Sequence, residues 1–388
     1  MTDTREERIR RRLVALTRDL MLIPSIPSRP EDRRRCLELV RNQIEGLPSV
    51  EITEYEHRGH PSLVARPRGC ERPEVLLCGH LDVITHSDIG LYRSELRDGR
   101  IVGPGAGDMK GALAILLELF RELHTRQPGI SLGLAVTSDE ETGGESGIGH
   151  LVGACGLRCA AAMIPDGGSI GDITVEEKGI LHVRMRCHGR PAHAARPWRG
   201  DNPVEHLLDG LARLRERFAA WRATEGGADG ETDAAFWHPT CAVTIIGTEN
   251  TTVNRIPADA AATLDIRFPP PHTVASMSAL LREALGPSIL REPIISAEAT
   301  QLSPDPLYIQ VTEEILGRPA GLAHDAGGSD ARFFTPRGIP VLMSRPLAGR
   351  LHSDDEWIDI DSMVQFHRIC ELYLERRLGV APRARDSR

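Results

Sequence analysis

Histidine and carboxylate side chains stand at the ends of several predicted strands, where they could bind a metal ion. The clearest case is the segment Gly79–Asp82, which directly follows the apolar run Val75–Cys78. A short apolar run that ends at a glycine is typical of a buried strand. His80 and Asp82 are two residues apart, so in an extended chain they point to the same side, where the carboxylate can orient a metal-bound imidazole. Taken alone, the pair fits a solvated turn better, and the rest of the chain must decide.

A glycine-rich segment supplies the next candidate ligand, Asp108. The segment Gly103–Gly111 precedes an apolar helix predicted over 112–124. Its spacing matches neither a P-loop nor a dinucleotide fingerprint, which argues against phosphate binding. The glycines would instead let the backbone approach an ion while Asp108 reaches it from near the helix start. The alternative is that Asp108 only caps the helix, which is the better interpretation of that residue by itself.

Two further strands end in acidic residues. The predicted strand 131–137 runs into Asp139, Glu140 and Glu141, and the strand 160–164 is followed by Asp166. Adjacent carboxylates repel one another unless a cation or solvent relieves them, and an isolated acidic run is more often a solvated turn. Three successive strands, however, deliver a ligand-type residue at the same end, where the ligands of α/β sheets gather. This repetition predicts a metal site.

Composition and charge restrict the partners and location of the protein. The chain has 388 residues, 40% hydrophobic and 26% charged, which predicts two or three domains of ordinary globular composition. The net charge is −8, and the chain shows no basic stripe that could bind nucleic acid. The triplet Arg33–Arg35 is predicted to be a solvated face. No apolar stretch is long enough to span a bilayer. Eight scattered cysteines without a Cys-x-x-Cys pair, and no recognisable signal peptide, predict reduced thiols in a cytoplasmic protein.

The order of the predicted elements indicates the fold class. Helices and strands alternate from the N-terminus, which favours an α/β domain with a mixed, mostly parallel sheet covered by helices. From residue 180 the pattern changes to strands with two helices, which indicates a smaller inserted α+β domain. The predicted boundaries are 1–179 and 297–388 for the first domain and 180–296 for the insertion. Residues 225–232, rich in glycine and acid, are predicted to form a mobile loop.

Four motifs together resemble those of a known enzyme family. They are Gly-His-Leu-Asp-Val at 79–83, Gly-x-Gly-x-x-Asp-Met-Lys-Gly at 103–111, Asp-Glu-Glu-Thr-Gly-Gly at 139–144 and His-Ser-x-x-Glu at 352–356. Their order and spacing are similar to those of the co-catalytic zinc metallopeptidases of peptidase family M20, which include acetylornithine deacetylase, succinyl-diaminopimelate desuccinylase, carboxypeptidase G, aminoacylase and several dipeptidases. The resemblance extends over nearly the whole chain. It implies a zinc-peptidase-like catalytic domain and an inserted lid that mediates dimerisation.

The resemblance implies two divalent metal ions, expected to be zinc, with cobalt or manganese as alternatives. One ion would be bound by His80, Asp108 and Asp166. The other would be bound by Asp108, Glu141 and His352, so that Asp108 bridges the two. Imidazole nitrogens and carboxylate oxygens suit borderline cations such as zinc, and the negative charges of the ligands offset those of the ions.

The resemblance also implies roles in the reaction. Asp82 would orient His80, and Glu140 would act as the general base. In the lid, His193 would stabilise the oxyanion in the active site of the partner subunit of a homodimer. The residues implied to bind the substrate are Asn254, Arg267, Ser329 and Arg332.

The predicted function is hydrolysis of an amide bond in a small substrate that bears a carboxylate. An N-acyl amino acid deacylase is favoured, because the lid is compact and the segment Gly-Ser-Asp-Ala-Arg at 328–332 is similar to that of the acetylornithine and succinyl-diaminopimelate enzymes. The alternative is a dipeptidase or aminopeptidase, because Asp166 stands where the family's acylases and carboxypeptidases usually carry Glu. A non-catalytic binder of small molecules is a third hypothesis. Loss of Glu140 or of a ligand would favour it, and none is lost.

Overall fold

The computed structural model describes residues 4–225 and 237–381. Most of the predicted loop at 225–232 and the last seven residues of the chain lie outside the described residues. Within them, the α-helices are α1 (Arg5–Met21), α2 (Pro30–Ile44), α3 (Gly111–Arg126), α4 (Ile148–Gly153), α5 (Pro203–Glu225), α6 (Val274–Leu285), α7 (Pro306–Leu316), α8 (Ala331–Phe334) and α9 (Ile360–Leu378).

The strands of the first half are β1 (Val50–His57), β2 (His60–Pro67), β3 (Val75–His80), β4 (Glu95–Arg97), β5 (Arg100–Val102), β6 (Leu132–Thr137), β7 (Ala161–Met163), β8 (Asp172–Glu177) and β9 (Gly179–His188). Those of the second half are β10 (Thr240–Gly247), β11 (Asp259–Phe268), β12 (Ile289–Ala297), β13 (Thr300–Gln301), β14 (Gly321–Asp325), β15 (Val341–Leu342), β16 (Ala348–Gly349) and β17 (Trp357–Asp359).

A six-stranded sheet forms the centre of the larger part of the chain, in the order β1–β2–β6–β3–β7–β15. The pairs β6–β3, β3–β7 and β7–β15 are parallel, whereas β1–β2 and β2–β6 are antiparallel. All residues of β3 and β6 are buried, as expected for strands covered on both faces. The carboxyl ends of β3, β6 and β7 therefore meet at one edge of the sheet.

Helix packing follows the apolar pattern of each helix. Helix α1 begins with a capping box between Thr4 and Glu7 and buries one stripe that includes Leu13 and Leu20. Helix α3 is apolar around most of its circumference and almost entirely buried, which fits a central position in the core. Among the described residues, no helix combines the length and the apolar character that a membrane span requires.

The chain divides into two compact units. One comprises Met1–Val175, Leu302–Ala323 and Ser329–Arg388, and the other comprises Glu176–Gln301 and His324–Gly328. The second unit contains an antiparallel sheet in the order β10–β11–β9–β12, with α5 and α6 packed on one face. The mixed, mostly parallel sheet and the smaller α+β unit confirm the predicted fold class. The boundaries proposed from the sequence stay a prediction.

Candidate metal centre

His80 lies at the carboxyl end of β3 and is buried, with 1% of its surface exposed. Its Nδ1 is 3.1 Å from the carbonyl oxygen of Asp82 and 3.5 Å from the Asp82 carboxylate. Because a carbonyl oxygen only accepts, Nδ1 carries the proton and donates to it. His80 Nε2 then faces Asp108, whose Oδ1 is 3.2 Å away. The ring is thus oriented with the nitrogen that could bind a metal toward the acidic cluster.

Asp82 also fixes the acidic turn after β6. Its two carboxylate oxygens accept hydrogen bonds from the backbone N–H groups of Glu140 (3.3 Å) and Glu141 (3.1 Å). Glu140, Glu141 and Thr142 form a single 3₁₀ turn that ends at Gly143 in a left-handed conformation. One buried carboxylate therefore connects the strand that carries His80 to the turn that carries the two glutamates.

Asp108 lies between two imidazoles. Its Oδ1 faces His80, and its Oδ2 is 3.2 Å from Nε2 of His352. His352 Nε2 is also 3.3 Å from Glu141. The peptide bond between Asp108 and Met109 is cis. The position of the Asp108 carboxylate between the two imidazole rings is the one expected of a carboxylate that bridges two cations.

The side chains form two adjacent groups with the spacing of metal ligands. The first contains His80, Glu140 and Asp166, and the second contains Asp108, Glu141 and His352, with the ligand atoms of each group within 4.8 Å of one another. The structure thus brings together all the predicted metal ligands and the predicted general base. It places Glu140 as close to His80 as Asp166 is, at 3.9 Å. The assignment of Glu140 as base and of the other residues as ligands stays a prediction.

The electrostatics of the cluster favour a bound cation. Burial raises the pKa of the Glu140 carboxyl well above its usual value, and burial together with the charge of Asp108 does the same to the pKa of Asp166. Hydrogen bonds to Asp108 and Glu141 raise the pKa of His352 to about 10. Unrelieved carboxylates in a buried site are costly, and a divalent cation would relieve them.

Two buried atoms at the centre of the cluster have no hydrogen-bond partner among the described residues. They are Nε2 of His80 and Oδ1 of Asp108. Buried polar atoms without a partner are rare, and one explanation is an ion that bonds to them. Imidazole nitrogens with carboxylate oxygens are the donor set that zinc and related divalent cations accept. The residues present therefore fit a pair of divalent metal ions.

Glu356, for which the sequence predicted no role, holds the backbone around two of the metal ligands. Its Oε1 accepts hydrogen bonds from the backbone N–H groups of Gly107 (2.7 Å) and Asp108 (2.9 Å), and its Oε2 accepts one from His352 (3.3 Å). His352 itself has a φ of 63°, an uncommon conformation for a residue with a side chain. The position of Glu356, four residues after His352 in the motif at 352–356, is the only sequence signal that could have indicated this role.

The prediction that Arg33–Arg35 is a solvated face is wrong for Arg33. Its side chain is buried, with 5% exposed, and approaches the strand end that precedes the acidic turn. It donates hydrogen bonds to the carbonyl oxygens of Ser138 (3.4 Å) and Gly59 (3.3 Å) and contacts Nδ1 of His60 at 2.6 Å. The triplet lies on α2, and one of its three arginines points inward because a helix exposes only part of its circumference.

The predicted substrate residues of the first unit have partners within the fold. The hydroxyl of Ser329 accepts a hydrogen bond from the N–H of Ala331 at 3.1 Å, at the start of α8. Arg332 donates a hydrogen bond to the carbonyl oxygen of Gly143, at the end of the acidic turn. Roles of these two residues in substrate binding stay predictions.

The second unit carries the other three predicted residues. His193 and Asn254 are both exposed and lie on neighbouring loops, joined by a hydrogen bond from the N–H of Ala194 to the carbonyl oxygen of Asn254 at 2.8 Å. Arg267 forms an ion pair with Asp265 through two hydrogen bonds of 2.7 and 3.2 Å. The structure therefore brings His193 and Asn254 together within the unit, and their roles stay predictions.

Comparisons with known proteins agree with this geometry. The model of "Peptidase family M20/M25/M40" matches residues 76–376. The chain is 28% identical to a succinyl-diaminopimelate desuccinylase of Caulobacter sp. (strain K31), over 94% of this chain and 95% of that protein. Its fold is similar to that of the M20 family metallo-carboxypeptidase Sso-CP2 from Sulfolobus solfataricus, with a TM-score of 0.75 at 18% identity over 94% and 98% of the two chains.

A second similar structure is the dipeptidase Dug1p from Saccharomyces cerevisiae, with a TM-score of 0.75 at 15% identity over 97% and 98% of the chains. The family model covers most of the chain and includes all the residues of both ligand groups. The chain therefore belongs to peptidase family M20/M25/M40 and is a hydrolase of amide bonds.

Proposed function

We propose that the protein is a di-metal N-acyl amino acid deacylase, which releases an amino acid from a small acylated substrate. The observation that carries this proposal is the position of Asp108 between the two imidazoles of His80 and His352, with Glu140 beside them. Relatives named succinyl-diaminopimelate desuccinylase, similar over nearly their whole length, support a substrate in this class.

The metal ligands of the proposal are those of the two groups. His80, Asp108 and Asp166 would hold one ion, and Asp108, Glu141 and His352 the other, with zinc as the expected metal and cobalt or manganese as alternatives. Two such ions would polarise the amide carbonyl and lower the pKa of a water molecule.

The protein side chains would then move protons and hold the ligands in place. Glu140 would take a proton from the attacking water and deliver it to the leaving amine nitrogen. Asp82 would keep Nδ1 of His80 protonated and hold the turn of Glu140 in position. His193 would stabilise the oxyanion from a partner subunit, and Asn254, Arg267, Ser329 and Arg332 would bind the substrate.

The partners and location are part of the same proposal. A homodimer through the second unit is supported by the edge strand β10, on which Val243, Ile245 and Ile246 are exposed. A cytoplasmic location is supported by the eight cysteines, all of which are free thiols.

A dipeptidase or aminopeptidase is the second candidate. Asp166 at the metal site favours it, as does the similarity of the fold to that of the dipeptidase Dug1p. Both reactions would use the same attacking water and the same proton transfer. Their substrates differ only in the groups attached to the amide nitrogen and to the carbonyl carbon.

The test is amine release by the metal-reconstituted protein from N-succinyl, N-acetyl and N-carbamoyl amino acids and from free dipeptides. We expect turnover of the acylated set, abolished by a chelator and restored by added zinc, cobalt or manganese. Turnover of dipeptides alone would replace the deacylase with the peptidase. Metal binding without turnover of any substrate would contradict both and favour a binder.

A further inference from the structure

Arg345 and the predicted metal ligand Asp166 follow two neighbouring parallel strands. Strand β15 pairs in parallel with β7, with Leu342 opposite Met163, and Arg345 and Asp166 each follow three residues after this pair. The N–H of Ile164 donates to the carbonyl oxygen of Leu342 at 2.9 Å, which extends the pairing toward the carboxyl edge of the sheet. Arg345 therefore begins at the edge where the metal ligands gather.

The backbone on both sides of Arg345 is fixed. The hydroxyl of Ser344 donates to the carbonyl oxygen of Ser169 at 2.8 Å, and the N–H of Leu347 donates to the hydroxyl of Ser362 at 2.9 Å. Ser344 is fully buried, whereas Arg345 is half-buried. A rigid backbone of this kind can hold a side chain in one place for a ligand.

The guanidinium group of Arg345 has no ion-pair or hydrogen-bond partner among the described residues. Other arginines near the cluster are engaged, since Arg332 donates to Gly143 and Arg350 pairs with Asp355. Arg345 nevertheless lies close enough to Asp166 for its charge to oppose the rise in the pKa of that carboxyl that burial causes. It therefore contributes positive charge to the site.

A bound cation would change the balance of charge around Arg345. Asp166 would then be neutralised by the metal ion that it holds, and Arg345, which has no ion-pair partner among the described residues, would keep its positive charge unbalanced. A half-buried guanidinium without a counter-charge attracts an anion, and its planar array of donors matches a carboxylate through two parallel hydrogen bonds.

We propose that Arg345 binds a carboxylate of the substrate next to the metal ions and selects amides that carry one there, an inference that rests on the proposed function. Two parts of an N-acyl amino acid can supply this group. One is a distal carboxylate on the acyl chain, as in a succinyl group, and the other is the α-carboxylate of the amino acid.

The experiment compares Arg345→Met, which removes the charge at similar length, with Arg345→Lys, which keeps the charge but loses the paired donors. Arg368→Met, a substitution of an exposed arginine on α9, is the matched control. Each protein is assayed with one amino acid as its N-succinyl derivative, its N-acetyl derivative and its N-succinyl derivative with an amidated α-carboxyl group.

The expected result is a rise of about 10- to 100-fold in KM for Arg345→Met, with a smaller rise for Arg345→Lys and kcat changed less than KM, because a charge-assisted hydrogen bond of this kind is lost. A rise in KM confined to the two succinyl substrates would show that Arg345 binds the carboxylate of the acyl chain. A rise in KM confined to the two substrates with a free α-carboxyl group would show that Arg345 binds the α-carboxylate of the amino acid. Unchanged KM values for all three substrates would overturn the proposal.

Two binding measurements separate this proposal from the proposed function. Calorimetric titrations of succinate and of the free amino acid into metal-loaded protein should show that Arg345→Met weakens binding of one of the two by about tenfold or more, whereas Arg368→Met affects neither, even if no amide is hydrolysed. Competition with a chromogenic chelator should show equal metal affinity in all variants. Equal binding of both succinate and the free amino acid, or weaker metal binding with kcat reduced alike for every substrate, would show that Arg345 does not bind a carboxylate.

Discussion

At the residue scale, single carboxylates at the site hold several neighbours at once. Asp82 contacts the ring of His80 and accepts from the N–H groups of two glutamates. Glu356 accepts from the backbone of the loop of Asp108 and from His352. Buried carboxylates that accept backbone hydrogen bonds rigidify the groups they join, so the cluster is positioned before any ligand arrives.

Glu140 is the residue whose role can be tested most directly. Replacing it by Gln preserves shape but removes the proton acceptor, so we expect kcat to fall about 10²- to 10⁴-fold. If Glu140 is the base and not a ligand, the number and affinity of the bound metal ions should be unchanged. Steady-state kinetics and metal analysis of the purified protein measure both.

The control for this prediction is Glu145→Gln, since Glu145 is exposed and lies shortly after the same acidic turn. It should leave kcat within about twofold of the unmodified protein, as expected for a surface substitution. Loss of one metal ion from the Glu140 variant would contradict the base assignment and indicate that Glu140 is a ligand together with His80 and Asp166.

At the element scale, the acidic turn after β6 is held from several sides. Arg33 on α2 donates to the carbonyl of Ser138 just before the turn, and Arg332 on α8 donates to the carbonyl of Gly143 at its end. The hydroxyl of Ser138 donates to the carbonyl of Pro61 at 2.8 Å. Helices distant in sequence thus fix the short segment that carries Glu140 and Glu141.

We expect Arg33→Met to loosen this segment and to weaken metal binding by about tenfold, in the range seen when groups that support metal ligands are removed. Competition with a chelator measures the metal affinity, and thermal unfolding measures the stability. Arg34→Met is the matched control, because Arg34 is the adjacent exposed arginine, paired with Glu31 and Glu56. A lower melting temperature with unchanged metal affinity would mean that Arg33 stabilises the fold without positioning the turn.

At the scale of the whole molecule, the second unit has two edge strands of different character. Strand β10 exposes Ile245 (65%) and Ile246 (53%) in a run without charged residues, whereas β12 contains Arg291, Glu292 and Pro293. Charges and proline on an edge oppose pairing with another chain. The proposed dimer therefore uses β10 and not β12.

We expect Ile245→Lys to convert the dimer to a monomer, because a buried ammonium without a partner is costly in an interface. Ile294→Lys, on the exposed part of β12, should leave the dimer intact. Sedimentation velocity over a range of concentrations measures both variants. A monomer in the unmodified protein, or equal dissociation of the two variants, would contradict an interface through β10.

The sequence by itself determined the chemistry of this protein and its fold class. His80, the acidic turn and Asp166 could be predicted because each follows a short apolar run, and Asp108 because it lies in a glycine-rich segment before an apolar helix. Such patterns depend only on neighbours in the chain. The four motifs then indicated the family, which the comparison over residues 76–376 confirms. These local signals show which residues could bind a metal ion and which of them lie at the ends of strands.

Only the tertiary structure decided which side chains surround that cluster. Arg33 belongs to an arginine triplet that looks solvated, and Arg345 follows a two-residue strand without a motif. Their positions depend on α2 packing against the sheet and on β15 pairing with β7, contacts between segments more than a hundred residues apart. Such pairings are set by the packing of the whole core, and neither propensity nor periodicity in a short window contains that information.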